Sequence, residues 1–422
     1  MAAPKLRFKE FDGDWNKNTI GNFVLNYKGG ASLTPADFVE YSDCEVIPKK
    51  AISSGGLLQL DKVVPTFCTL EFFNSNQNYI VDSEYLITTL RDLVPSGPSI
   101  GYIVKYESNK KYILAQGVYG FRIKNDLNRD FLIQFSNTSK FRLHMQSIMV
   151  GSTQVHIRNQ DYFSTELYTP SLLEQTKIAS FLSTVDEKIS QLTQKHALLS
   201  QYKQGMMQKL FSQQIRFKAD DGSEFGEWEK IKFLDLMVDL WDYRGKTPKK
   251  LGMDWGDGEI QSLSALNIKK GFIDFDADCH LGSEKLYKTW MNKGDLEKDD
   301  IIFTMEAPLG NVALIPDDRK YILSQRVVCF KTNKKMIDNK FIFQLILSDQ
   351  FQSRIEELAT GTTAKGINQK SMQKIEVTLP PKDEQTKIAS FLSAIDQKVD
   401  VVAQQIEQAK QWKKGLLQQM FV

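Results

Sequence analysis

The residues of this chain best placed to do chemistry form a basic loop, Arg244-Gly245-Lys246-Thr247-Pro248-Lys249-Lys250. Closely spaced cations, a hydroxyl and a glycine can grip a phosphate through charge-assisted hydrogen bonds and close backbone approach. The Gly-Lys-Thr triplet inside the loop is not a P-loop, because Leu240 stands where the first glycine is required and Pro248 follows. A second polar loop, with Thr362, Thr363 and Lys365 between Gly361 and Gly366, can also present backbone N–H groups to a phosphate. In the first half of the chain the corresponding candidates are Lys28, Lys49, Lys50, Ser152, Thr153 and Gln154.

Catalytic chemistry finds no home. Gly256-Asp257-Gly258 lacks the third glycine of a dinucleotide fingerprint. His144, His156, His196 and His280 are dispersed, and Cys279-His280 has no metal-site spacing. There is no Asn-Pro-Pro-Phe/Tyr or Asp-Pro-Pro-Tyr stretch such as an amino-methyltransferase carries, and no carboxylate pair is marked as a dyad. No catalytic residue and no metal ligand is assigned.

The elements that would position these loops are announced by a repeat. The decapeptide EQTKIASFLS stands at Glu174–Ser183 and again at Glu384–Ser393, 210 positions later. The match continues through Asp186/Asp396, Lys203/Lys413 and Phe211/Phe421. Upstream, Lys111–Phe121 aligns with Lys320–Phe330, Gly151–Ile157 with Gly361–Ile367, and Arg7-Phe8-Lys9 with Arg216-Phe217-Lys218. The chain is a duplication, and the order is domain, helix, domain, helix. Such a pair of units suits a target with two halves.

Both repeated helices carry a 4-3-4-3 apolar spacing, the mark of a coiled-coil seam. The seam runs through Ile178, Leu182, Val185, Ile189 and Leu192 in one, and Ile388, Leu392, Ile395, Val399 and Val402 in the other. Lys203 and Lys413 interrupt it at equivalent places, either snorkelling to water near an end or setting the register between the helices. Outside the helices, short strand-like runs such as Tyr112–Leu114, Val118–Ile123 and Ile301–Thr304 alternate with Gly- and Asn-rich turns. One stretch, Asp338–Leu358, has helical periodicity. The fold class expected is α+β, with mostly antiparallel or mixed sheets. The expected boundaries are a domain over 1–170, a helix over 171–213, a second domain over 214–381 and a second helix over 382–422.

Composition narrows the classes. The net charge is only +2, and residues 218–383 hold 25 Lys and Arg against 28 Asp and Glu, which argues against a non-specific polyanion binder. It leaves room for a reader whose cations are clustered. No run of 18 apolar residues and no N-terminal apolar stretch is present, so no membrane association and a cytoplasmic location are expected. Cys44, Cys68, Cys279 and Cys329 are scattered, which suits reduced thiols.

The pattern of two divergent domains, each followed by a Pro-containing turn and an EQ-opened helix, resembles the specificity (S) subunit of type I restriction-modification enzymes. The residues that carry the resemblance are Leu379-Pro380-Pro381-Lys382-Asp383-Glu384-Gln385, Thr169-Pro170-Ser171-Leu172-Leu173-Glu174-Gln175, Trp228, the Arg244–Pro248 segment and Gly361–Ile367. The first domain departs from it after Tyr27, where the chain reads Lys-Gly-Gly-Ala-Ser-Leu-Thr-Pro. The resemblance implies two target-recognition domains separated by an antiparallel coiled coil, and a non-catalytic subunit that reads a bipartite, asymmetric sequence in double-stranded DNA. It implies partners: modification (methyltransferase) subunits, expected in two copies, that bind S-adenosylmethionine, and restriction subunits that use ATP and Mg. This chain itself is expected to bind no cofactor. The competing reading, a self-contained DNA methyltransferase or nuclease, lacks a recognisable active site.

Overall fold

The computed structural model describes residues 3–361 and 364–422. They fall into two compact units, Met1–Gln194 with Ala403–Val422 and Lys195–Val402. The long helices, Leu172–Phe211 and Lys382–Met420, are continuous, and each is shared between the units. The compact units thus do not stop where the helices begin.

Each unit is built on an antiparallel sheet. In the first unit Val118–Ile123 lies between Val24–Lys28 and Leu86–Thr89. In the second, Val327–Thr332 lies between Met237–Asp242 and Ile301–Thr304, with Val312–Leu314 outside the latter. Short parallel pairings add to each, Val46–Ile47 with Tyr112–Leu114 and Ile260–Leu263 with Ile322–Leu323. Phe121 and Phe330, which the repeat aligns, are both fully buried on the central strands. The mixed α+β architecture with mostly antiparallel pairing is therefore as the strand-like runs imply.

One helical expectation is corrected. Asp338–Leu358 is two helices, Asn339–Leu347 and Asp349–Leu358. Ser348 has an extended ψ of 147° and its hydroxyl accepts from the Phe351 N–H, so it ends one helix by capping the next. In the first unit Asn137 closes Arg129–Ser136 and Thr138 caps Ser139–Ile148, its hydroxyl accepting from the Phe141 N–H. Apolar periodicity runs through such a junction because both helices bury the same side.

Where a domain hands over to a long helix, its last strand is tied back to its beginning. Glu166–Thr169 pairs with Asn16–Thr19, and Glu376–Leu379 with Glu229–Lys232. The helix then enters the core. Ile178, Leu182 and Val185 join Leu86, Phe121 and Phe131 in one apolar cluster, together with Leu416, Leu417 and Met420. Ile388, Leu392 and Ile395 join Phe233, Phe330 and Phe341, with Met207, Leu210 and Phe211. In each unit the opening of one helix thus meets the close of the other, an antiparallel pairing. Leu192 and Val402 are buried, and Ile189 and Val399 are partly buried against these clusters. The seam residues serve domain and helix pair together, which explains why the repeat is most exact at the helix starts.

Candidate nucleic-acid interface

The Glu-Gln pair of the decapeptide anchors helix to domain. Arg7 donates to Glu174 from both Nε and Nη2 at 2.7 Å, and Arg216 donates likewise to Glu384 at 3.1 and 2.7 Å. Both carboxylates are almost fully buried, a placement tolerated only with such bidentate partners. These contacts raise the Arg7 and Arg216 pKa values, chiefly through the hydrogen bonds to the glutamates. Gln175 accepts from the Asn128 N–H and donates to the Asp126 and Pro170 carbonyls. Gln385 repeats this with Asp338, Met336 and Pro380.

Further along, the interrupting lysines cross to the other helix. Lys413 meets Asp186 at 2.5 Å in the first unit, and Lys203 meets Asp396 at 2.6 Å in the second. Each aspartate also accepts from a buried glutamine, Gln134 on Arg129–Ser136 or Gln344 on Asn339–Leu347. A lysine that can be satisfied at only one height along the partner helix fixes register. The snorkelling alternative is set aside by these partners.

The basic loop of the second unit begins as the first sheet strand ends. The strand register aligns Lys28 with Trp241, so Ala31-Ser32-Leu33-Thr34-Pro35-Ala36-Asp37 occupies the place of Arg244–Lys250. Both copies keep a Thr-Pro that starts a 3₁₀ turn, with Thr247 accepting from the Lys250 N–H and Thr34 forming a capping box with Asp37. The cations are confined to the second copy.

Most of the sequence-selected cations are engaged by their own domain. Arg244 is clamped on Asp242 through Nε and Nη2, which raises its pKa. Lys246 donates to the Trp290 carbonyl and Asn292 and lies 4.7 Å from the Tyr243 ring centre, and burial lowers its pKa. Lys250 donates to the Gly245 carbonyl, Lys365 pairs with Glu356, and Lys28 donates to the Ile80 carbonyl. Lys249 is exposed and its side chain makes no hydrogen bond or ion pair among the described residues. Thr362 and Thr363 lie outside the described residues. Lys50, Ser152 and Thr153 are exposed, while Lys49 and Gln154 line one cleft.

That cleft, of about 420 Å³, brings Lys49 and Gln154 together with Arg91, Gln116 and His156. The second unit has its counterpart, of about 380 Å³, lined by Lys246, Ser264, His280, Gln325 and Arg326. Its wall includes Trp255, stacked on His280 with ring centres 5.0 Å apart. Gln116 and Gln325 are aligned by the repeat and both exposed. The next position is Gly117 in one and Arg326 in the other, with φ of 86° and 66°. The Gly117 carbonyl accepts from the Leu90 N–H, and the Arg326 carbonyl from the Met305 N–H. Arg91 and Glu306 are therefore equivalent, and each bridges to the loop at His156 or Gly366.

Sequence reasoning passed over Arg91, Gln116, Gln325 and Arg326. A signal was present: within the aligned Lys111–Phe121 and Lys320–Phe330 stretch, glycine faces arginine at 117/326. A turn that uses glycine in one copy predicts a left-handed backbone in the other.

A fold of two α+β units, each anchored to a long repeated helix, is the architecture of a DNA-specificity protein. The Type I restriction modification DNA specificity domain matches residues 13–201 and again 226–411, and the chain belongs to that family. It is 25% identical to the type I restriction enzyme MjaVIII specificity subunit of Methanocaldococcus jannaschii, over 97% of this chain and 94% of that protein. It is 24% identical to the EcoDI specificity subunit of Escherichia coli over 61% of each chain. The crystal structure of the type I restriction-modification S subunit from M. genitalium has the same fold, with a TM-score of 0.59 at 15% identity, covering 100% of this chain and 99% of that one. A structure from work on complex assembly and conformational transition of a type I restriction-modification system aligns with a TM-score of 0.52 at 13% identity, over 96% of both chains. Among the described residues, no helix is long and apolar enough to cross a membrane, and no His, Cys, Asp or Glu cluster could hold a metal ion.

Proposed function

We propose that this chain is the DNA-recognition subunit of a type I restriction-modification enzyme, each unit reading one of two unlike blocks in a bipartite, asymmetric target. The observation that carries the reading is the combination of one frame with two chemistries. The Arg-Glu and Gln anchors recur in both units, whereas the clefts differ in the side chains that line them and the Thr-Pro loops differ in charge. Two copies that needed the same ligand would have no reason to line equivalent clefts with different side chains. Cations tied to the scaffold, such as Lys246, shape the loops, and exposed ones such as Lys249 meet the phosphates. Catalysis belongs to partners: modification subunits carrying S-adenosylmethionine, with restriction subunits supplying ATP-driven steps.

Mapping methylated adenines in a host that expresses this chain with its modification subunits tests the proposal. Two short unlike blocks separated by an unread gap are expected. A palindromic or single-block site would overturn it, and so would turnover of S-adenosylmethionine by the chain alone. The helix pair sets the gap in this reading. Lengthening both helices by one heptad, after Gln194 and after Gln404, adds ~10 Å while keeping the seam in phase, and should widen the gap without altering either block.

A further inference from the structure

We propose that Arg326 with Gln325, and Arg91 with Gln116, are the side chains that read base edges, one pair per block, with the guanidinium delivered from opposite sides of the cleft in the two units. The inference rests on the recognition role proposed above and names the residues that would carry it.

The two clefts are built alike. In each, a glutamine side chain stands exposed on the turn before the central strand, and it makes no hydrogen bond among the described residues. The neighbouring position must adopt a left-handed backbone. Glycine meets that demand in the first unit. It also leaves room, since a Cβ on Gly117 would lie 3.1 Å from the Arg91 Cβ. The second unit places Arg326 at the same φ, although a non-glycine residue is strained there. At the position across from it, the first unit has Arg91 and the second Glu306. One arginine therefore faces each cleft, from the strand side in the first unit and from the turn side in the second.

These arginines are free where Arg244, Lys246 and Lys250 are held by their own domain. Arg91 makes no side-chain hydrogen bond or ion pair among the described residues. Arg326 is half exposed and only loosely paired, its Nε 3.8 Å from Glu306. A guanidinium beside a carboxamide is the donor and acceptor set that distinguishes bases in the major groove. Arginine binds the O6 and N7 acceptors of guanine, and glutamine binds N6 and N7 of adenine. Moving the guanidinium from turn to strand shifts the step at which guanine is demanded relative to the glutamine. Two units on one frame would then read unlike blocks.

The test uses the chain assembled with its modification subunits, comparing wild type with Arg326→Gly and Arg91→Ala. Glycine is the residue the backbone prefers at position 326, so that variant should unfold no earlier than wild type. Arg326→Gly should weaken binding to the cognate duplex by roughly tenfold to a hundredfold and spread methylation to sites altered in one block, leaving the other block intact. Arg91→Ala should do the same to the opposite block. Binding within twofold of wild type with an unchanged methylation pattern would overturn the assignment, as would loss in both blocks at once from either variant. A wild-type assembly that shows no sequence preference would fail at the recognition role itself, a result separate from these.

Discussion

At the junction of sheet and helix the two units share one clamp; at the Thr-Pro loops they differ in charge. Arg7 on Glu174 and Arg216 on Glu384 are the same clamp, and Gln175 and Gln385 make the same three backbone contacts. The clamp itself gains a donor in the second unit, where the Nε1 of Trp228 donates to Glu384 at 3.0 Å, while the Nε1 of Trp15 has no partner among the described residues. In the Thr-Pro loops, by contrast, Arg244, Lys246, Lys249 and Lys250 stand against Ala31, Leu33, Ala36 and Asp37. A buried charge has few tolerable surroundings, so both copies solve it identically. An exposed loop has many, and there the copies were free to part.

The largest expected effect breaks the clamp. Arg7→Ala strands the Glu174 carboxylate in the core and should cost about 3–5 kcal/mol in the first unit. Arg216→Ala should cost less, because Trp228 still donates to Glu384. Hydrogen exchange in the strands Glu166–Thr169 and Glu376–Leu379 reads the two units separately. Equal losses would remove Trp228 from the account.

A smaller effect tests the register pairs. Lys413→Asp sets two carboxylates against each other and should cost roughly 1–3 kcal/mol. Adding Asp186→Lys restores an opposite pair and turns Gln134 to offer the Oε1 that has no partner in the native arrangement. The double variant should recover most of the loss in chemical denaturation, a coupling that a non-specific surface charge would not show.

Much of this frame was readable before any coordinates. The seam positions, the central strands and the antiparallel α+β class follow from apolar periodicity, which reports burial directly. The helix break at Ser348 was not readable, because its apolar pattern continues across the junction and only the cap geometry shows the stop. The site was less legible. A basic cluster in sequence reads as a ligand-binding loop, yet Lys246 and Lys250 are spent on backbone carbonyls of their own domain. Arg91 and Arg326 were missed because each stands apart from other cations in sequence, and the fold gathers them with distant glutamines.

The tryptophans refine the clamp comparison. Trp228→Phe removes a hydrogen bond to a buried carboxylate and should cost about 1.5–3 kcal/mol. Trp15→Phe removes a donor that bonds nothing among the described residues, so its loss should be clearly smaller. Both can be followed by urea denaturation. Equal costs would mean that ring volume, not the bond to Glu384, is what matters.

The smallest expected effect bears on the loops themselves. Lys249 is exposed and unengaged among the described residues, so as a phosphate contact it should contribute about 0.9 to the slope of log K against log salt. Lys249→Ala should remove that increment at unchanged stability, with all sequences weakened alike. Lys246→Ala should instead loosen the loop, since it withdraws the donor held by the Trp290 carbonyl. The first unit offers the reverse experiment, because Ala36 occupies the equivalent place on the same capped turn. If that turn faces the duplex in both copies, Ala36→Lys should steepen the slope by about 0.9. A steeper slope from Ala36→Lys with none lost from Lys249→Ala would mean that the two loops differ in orientation toward DNA and not merely in charge.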